Sequence, residues 1–242
     1  MSVTNIGKIV SFDWQSSAEG ETILQHFYDP QTTGRKVIGI LDRPSLPSSI
    51  EEVSYKVFIT GRAGIGKTST VTRLSGIKCS SAYVETAGIR KSNIFWPVKI
   101  WDKIILFKLQ MWDAGDNSIK KYSHILPACR EKADAITFVF SFLDSNSFTE
   151  LSQQMNKVLQ AGENPAVVVI AIYSHTNKLE VSALDIKEFE LKWQVPVLKI
   201  DNTWSGNRND SEVHEVAPIL NMLCELLWIR DQEYLLKQGL VR

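Results

Sequence analysis

The alternation of apolar and polar positions divides most of the chain into short elements. Val53 to Thr60 alternates and is rich in β-formers, so it reads as a strand, and Thr68 to Leu74 can open a helix directly after it. Asn93 to Ile100 and Ile104 to Trp112 read as two more strands. In the second, Phe107, Leu109 and Met111 oppose Lys108 and Gln110 with a period of two. A link as short as Asp102-Lys103 makes that pair an antiparallel hairpin. Beyond it the pattern becomes strand then helix, repeated. Ala135 to Phe142 and Ala166 to Ile172 are nearly all apolar, as strands covered on both faces are. Phe148, Leu151, Met155, Val158 and Leu159 recur at helical spacing. Ser182 and Asp185 form a capping-box pattern opening a helix through Trp193, and Val195 to Ile200 is a short strand. A last helix has Pro218 near its first turn and Ile219, Leu220, Leu223, Leu226 and Leu227 on its buried side. The alternation predicts an α/β fold with a mostly parallel sheet, helices on both faces and a ligand at the carboxyl ends of the strands.

Residues 1–52 precede this pattern as an extension. Ser17 to Leu24 predicts a short helix, Lys36 to Leu41 an added strand or docking segment, and Pro44 and Pro47 a linker. Two readings stand for the extension: a partly ordered tail, or a segment whose Trp14 packs on the domain or a partner. Composition narrows the partners. Lys+Arg and Asp+Glu both number 27, so bulk charge favours neither nucleic acid nor a membrane surface. The three cysteines are sparse and odd in number, with no C-x-x-C pair, which fits reduced thiols rather than a disulfide framework or zinc site. No signal-peptide pattern opens the chain and no apolar run is long enough to span a bilayer. The last residues hold no cysteine for prenylation and residue 2 is Ser, not the Gly that myristoylation needs. The expectation is a cytoplasmic protein.

The chemistry lies between the first strand and helix. Gly61-Arg62-Ala63-Gly64-Ile65-Gly66-Lys67-Thr68 fits the phosphate-loop pattern Gly-x-x-x-x-Gly-Lys-Ser/Thr at every fixed position, with strand and helix on the correct sides. Glycines let the loop curl its amides around an anion, and the helix start adds unpaired N–H groups. Lys67 is read as bridging the β- and γ-phosphates, and the Thr68 hydroxyl as a Mg²⁺ ligand. Such a loop by itself serves ATPases, kinases and GTPases alike. A GTP switch also needs a threonine in a mobile loop that reaches Mg²⁺ and the γ-phosphate, an aspartate at the end of the next strand pair, and a following glycine. Thr86, Asp113 and Gly115 stand in those places. Expected nucleotide contacts are Gly61, Ala63, Gly64, Ile65, Gly66, Lys67, Thr68, Ser69, Thr86, Gly115, Ser174 and Thr176, and expected metal ligands are Thr68, Thr86 and Asp113.

The chain resembles Ras-superfamily small GTPases of the Rab-like kind. More closely, it resembles the Rem- and Rab-like small GTPases of the ciliogenesis and planar polarity effector complex. Asp13-Trp14, Arg43-Pro44, Glu85-Thr86, Phe95-Trp96-Pro97, Trp112-Asp113-Ala114-Gly115, Phe140-Ser141-Phe142 and Leu227-Trp228 carry the likeness across nearly the whole length. It implies a P-loop NTPase three-layer fold, with a six-stranded mostly parallel sheet and one antiparallel strand, in a GTPase domain over 53–236, followed by a tail at 237–242. It also implies GTP and Mg²⁺ binding, GTP-dependent association with the Inturned–Fuzzy pair, and a role at the basal body and ciliary base. Three departures bear on mechanism. Asp113-Ala114-Gly115-Asp116 is one residue shorter than the family's Asp-x-x-Gly-Gln and brings no glutamine to orient water; a carboxylate at Asp116 is repelled by the γ-phosphate. Ala63 stands where fast-hydrolysing relatives carry glycine. Both predict very slow hydrolysis. Finally, Tyr173-Ser174-His175-Thr176 lacks the guanine-pairing aspartate. Either the loop has shifted so that Asn177-Lys178-Leu179-Glu180 supplies it, or the motif is weakened or lost, the reading favoured here. A pseudo-GTPase scaffold and a P-loop ATPase therefore remain alternatives to a switch.

Overall fold

The computed structural model describes residues 9–28, 43–77, 79, 82, 84–160, 162–173, 179–202 and 211–239. Along the chain run α1 (Ala18–Tyr28), β1 (Glu51–Thr60), α2 (Lys67–Leu74), β2 (Ile89–Ile100), β3 (Lys103–Ala114), α3 (Asp116–Lys121) and α4 (Ile125–Arg130). Then come β4 (Ala135–Ser141), α5 (Ser145–Thr149), α6 (Leu151–Val158), β5 (Ala166–Tyr173), α7 (Ala183–Trp193), β6 (Val197–Asp201) and α8 (Ser211–Lys237). The strands form one six-stranded sheet in the order β2-β3-β1-β4-β5-β6. β1 with β4, β4 with β5, and β5 with β6 are parallel, with Ile59 opposite Thr137, Phe138 opposite Val169 and Ile170 opposite Leu198. The β2–β3 hairpin supplies the antiparallel pair, and helices surround the sheet, so the α/β P-loop fold is as expected. The predicted strand at Lys36 to Leu41 lies outside the described residues.

Two local differences have physical causes. The hairpin turns at Trp101-Asp102, one residue earlier than the sequence indicated, and Trp101 adopts a left-handed φ of 54° while remaining largely exposed. Tryptophan is not a residue that announces a positive φ, so the polar Asp-Lys pair drew the turn to itself. α8 begins at Ser211, well before Pro218, which therefore sits inside the helix rather than in its first turn. There it has no N–H for the carbonyl four residues back.

The chain divides into two compact units. One comprises 56–92 and 110–206. Its core joins Phe58 of β1, Ile136, Phe138 and Phe140 of β4, Val169 and Ala171 of β5, Leu151 and Met155 of α6, and Ile186 and Phe189 of α7. Six of the seven β4 residues are buried, which explains its unbroken apolar run. The Phe140 and Phe148 rings meet tilted at 5.1 Å between centres, and Phe148 and Phe189 at 5.7 Å, tying the sheet to α5 and α7. α7 opens with the expected capping box, Ser182 and Asp185 each accepting the other's backbone N–H.

The other unit comprises 1–55, 93–109 and 207–242. Trp14 is 4% exposed, and its Nε1 donates to Glu19, whose carboxylate also accepts from Lys99 at 2.6 Å. Asn221 is fully buried and uses its whole hydrogen-bonding capacity. Its Oδ1 accepts from Gln15 Nε2 and Trp96 Nε1, both at 2.8 Å, and its Nδ2 donates to Gln15 Oε1 and the Phe12 carbonyl. Val10 forms a β-bridge with Ile100, and the Ile9 N–H donates to the Glu225 carboxylate at 2.7 Å. Residues 9–16 are thus held by the backbone of β2 and by side chains of α8 within this unit.

Candidate functional site

The phosphate loop runs from the end of β1 into α2. Gly66, the residue before α2, has φ 101°, which favours glycine, and a Cβ added there would also push on Ile172 Cδ1 at 2.8 Å. Lys67 is buried, and its ammonium donates to the Gly61 and Arg62 carbonyls, each at 2.9 Å. Burial pushes its pKa below the ordinary lysine value, against the opposing pull of the Asp113, Asp116 and Glu85 carboxylates.

At the other side of the loop three oxygens converge. The Thr68 hydroxyl donates to Asp113 Oδ2. The Thr86 hydroxyl lies 2.8 Å from that of Thr68 and 3.3 Å from the same carboxylate oxygen. Asp113 is 2% exposed, yet its Oδ1 has no hydrogen-bond partner. Two hydroxyls and a buried carboxylate with an unused lone pair are the hard-oxygen donor set that suits Mg²⁺, which keeps its remaining positions for water and phosphate oxygens. Among the described residues no cluster of three or more His, Cys, Asp or Glu side chains offers a different metal site. Gly115 approaches this group closely: its N–H donates to the Gly88 carbonyl at 3.1 Å, and an added Cβ would meet the Thr86 carbonyl oxygen at 2.1 Å.

A cavity of about 800 Å³ opens over these groups, within the usual range for small-ligand sites. Of the expected contacts, Ala63, Gly64, Gly66, Lys67, Thr68, Ser69, Thr86 and Gly115 line it. Gly61 and Ile65 belong to the same loop but are not among the lining residues, and Asp113 is reached through Thr68 and Thr86. Ser174 and Thr176 lie outside the described residues, as do Asn177 and Lys178.

Several residues at the site were not singled out from sequence. Ile77, Cys79, Val84 and Arg90 share the cavity wall; single apolar or charged residues in an irregular stretch carry no pattern to find them by. Asp116, which the sequence did mark as the residue in place of the missing glutamine, is also on the wall, opens α3 and pairs with Lys120 at 2.6 Å. Glu180, offered by the sequence as an alternative base-pairing acid, accepts the Ser145 N–H at 3.0 Å, the first amide of α5. Asn202 donates to the buried Thr70 hydroxyl at 3.1 Å and so touches the helix that follows the loop.

A P-loop opening on a cavity, with a threonine, an aspartate and a glycine gathered opposite it, defines a Ras-like GTPase domain, the class that binds guanine nucleotides. Residues 56–177 match the family described as "Ras of Complex, Roc, domain of DAPkinase". The chain is 37% identical to Ciliogenesis and planar polarity effector 2 of Xenopus laevis over 96% of both chains. Against the human protein of that name it is 36% identical, over 93% of this chain and 92% of the relative. Ras-related protein Rab-11B of Dictyostelium discoideum is 27% identical over 63% of this chain and 67% of its own. The chain belongs to the family of the ciliogenesis and planar polarity effector 2 proteins. Among the described residues no helix is long and apolar enough to cross a membrane.

Proposed function

We propose that the protein is a GTP-binding switch or scaffold with slow hydrolysis, acting through GTP-dependent partner binding in cilium assembly and planar polarity. The observation that carries this is the meeting of Thr68, Thr86 and Asp113 oxygens beside the Lys67 loop at one cavity. Gly61, Ala63, Gly64, Ile65, Gly66, Lys67, Thr68, Ser69, Thr86 and Gly115, with Ser174 and Thr176 on the base side, are the proposed nucleotide contacts. Thr68, Thr86 and Asp113 are the proposed Mg²⁺ ligands. The ion, when bound, neutralises charge on the β- and γ-phosphates. Thr86 is then drawn to the phosphates and orders its loop, and Gly115 ties that change to the end of β3.

Slow hydrolysis is supported by the absence of a glutamine after Gly115 and by the Ala63 methyl in the loop. The Asp116–Lys120 pair engages the carboxylate that follows Gly115 on its own helix. The names of the relatives support a ciliary setting. Inturned- and Fuzzy-like subunits are the proposed partners, and the basal body, cytoskeleton and protein transport the proposed context. The proposed layout is an extension at 1–52, the GTPase domain at 53–236 and a tail at 237–242. One observation favours weakened guanine selectivity as a second reading: the Glu180 carboxylate is committed to the Ser145 N–H. Displacement of a fluorescent nucleotide by GTP and by ATP in Mg²⁺, with Lys67→Ala as control, tests both. GTP-selective displacement lost in the variant is expected. A protein that takes up no nucleotide, or that captures its partners equally well after Lys67→Ala, is not a switch.

A further inference from the structure

Arg62 fills one of the free positions of the phosphate-loop motif, yet its guanidinium leaves the loop. Nη1 lies 3.2 and 3.4 Å from the two oxygens of Asp144, and Nε lies 3.4 Å from Glu150 Oε2. The backbone of the same residue holds the loop's other end in place, because the Arg62 carbonyl accepts from Lys67 Nζ. Asp144 is itself fixed. It caps α5 by accepting the Ser147 N–H at 3.2 Å, and its neighbour Ser145 is bound to Glu180. Glu180 in turn donates its N–H to the Phe142 carbonyl at 2.8 Å. One capped turn therefore anchors the loop through Arg62 on one side and the chain entering α7 on the other.

We propose that Arg62 is a positioning residue for the phosphate loop. Held by Asp144 and Glu150, it fixes the Gly61 and Arg62 carbonyls that orient Lys67, and so sets how long bound phosphates are retained. The inference rests on the nucleotide-binding reading above. A free guanidinium would attract phosphate directly; here two carboxylates neutralise it, so its contribution is geometry rather than charge. The three side chains are each between a third and a half exposed, so the effect is modest and weakens with salt.

The test is the dissociation rate of a fluorescent GDP analogue from the full chain in Mg²⁺. Arg62→Ala should release it roughly three- to fivefold faster. Asp144→Asn retains a good helix cap but loses the charge, and should act in the same direction. The double variant should be no faster than Arg62→Ala, and Arg62→Lys, which cannot reach two carboxylates in a fork, should rescue only in part. Melting temperatures without nucleotide should move by no more than about 2 °C. Unchanged rates, additive rates, or a loss of melting temperature with unchanged rates would each overturn the proposal while leaving the switch reading intact. A wild-type chain that takes up no analogue would overturn both.

Discussion

Replacing Gly115 by alanine tests the linkage between Thr86 and the end of β3. The φ of Gly115 is −64°, so alanine meets no backbone strain there. The obstacle is space: its Cβ would sit 2.1 Å from the Thr86 carbonyl oxygen, where real contacts stay beyond about 3 Å. The 86–88 stretch must retreat by about 1 Å. That displacement breaks the Thr86 hydroxyl contacts to Thr68 and Asp113, and stretches the Gly115-to-Gly88 bond from 3.1 Å. At about 1 kcal/mol net for each hydrogen bond, the loss is about 1–3 kcal/mol. Titrating Mg²⁺ against the dissociation rates of GTP and GDP analogues reads it. The variant should lose roughly tenfold to a hundredfold of the Mg²⁺-dependent tightening of the triphosphate, with diphosphate affinity changed much less. An alanine variant with wild-type Mg²⁺ dependence for both nucleotides refutes the argument that this close approach couples the two segments.

Five further outcomes are expected. Asn221→Leu leaves Trp96 Nε1 and Gln15 Oε1 without the partner they share in a buried place, and should cost about 3–5 kcal/mol in a urea titration; a loss under about 1 kcal/mol would contradict the network. Single-turnover hydrolysis of loaded GTP should be far slower than in ordinary Rab proteins, and a matching rate would contradict the reading of Ala63 and the missing glutamine. Glu180→Gln should leave the ratio of GTP to ATP affinity unchanged, because its carboxylate serves the α5 terminus; a collapse of that ratio would return it to the base. Burial lifts the Cys129 thiol from 9.0 to about 11 and Cys224 well above 9.0, so at pH 8 a thiol reagent should label no more than Cys79 until the protein is denatured. The sign for stability follows: above pH 9 the unfolded state releases these protons first, so stability falls as pH rises towards 11, readable as a declining urea midpoint.

The sheet and the phosphate loop were legible because each depends on a local pattern. Fully apolar runs marked β4 and β5, alternation marked β3, and fixed glycine spacing marked the loop before Lys67. Thr86, Asp113 and Gly115 were found by their order along the chain, and the structure brings all three together. What stayed hidden depends on contacts distant in sequence or on residues with no characteristic preference. Arg62 occupies a position the motif leaves open, and its partners Asp144 and Glu150 are recognisable only once β4 lies beside β1. Sequence left Glu180 as one of two alternatives for the base-reading acid, and it cannot reveal that the Ser145 amide is its neighbour. No pattern in the sequence marks the segment after Gly115, yet it forms α3, short enough that its six residues carry no helical period.

β2 is the outermost strand at one side of the sheet, the place where a β protein is open to uninvited pairing. Pro97 has no N–H to offer there, its carbonyl accepts from Gln15, and the Lys99 carbonyl accepts from Ser11. Residues 10–15 thus serve as a built-in hem on that margin. A version shortened to begin at α1 would lay bare a ready template for a foreign strand, and its characteristic defect would be self-association at concentrations the full-length chain tolerates.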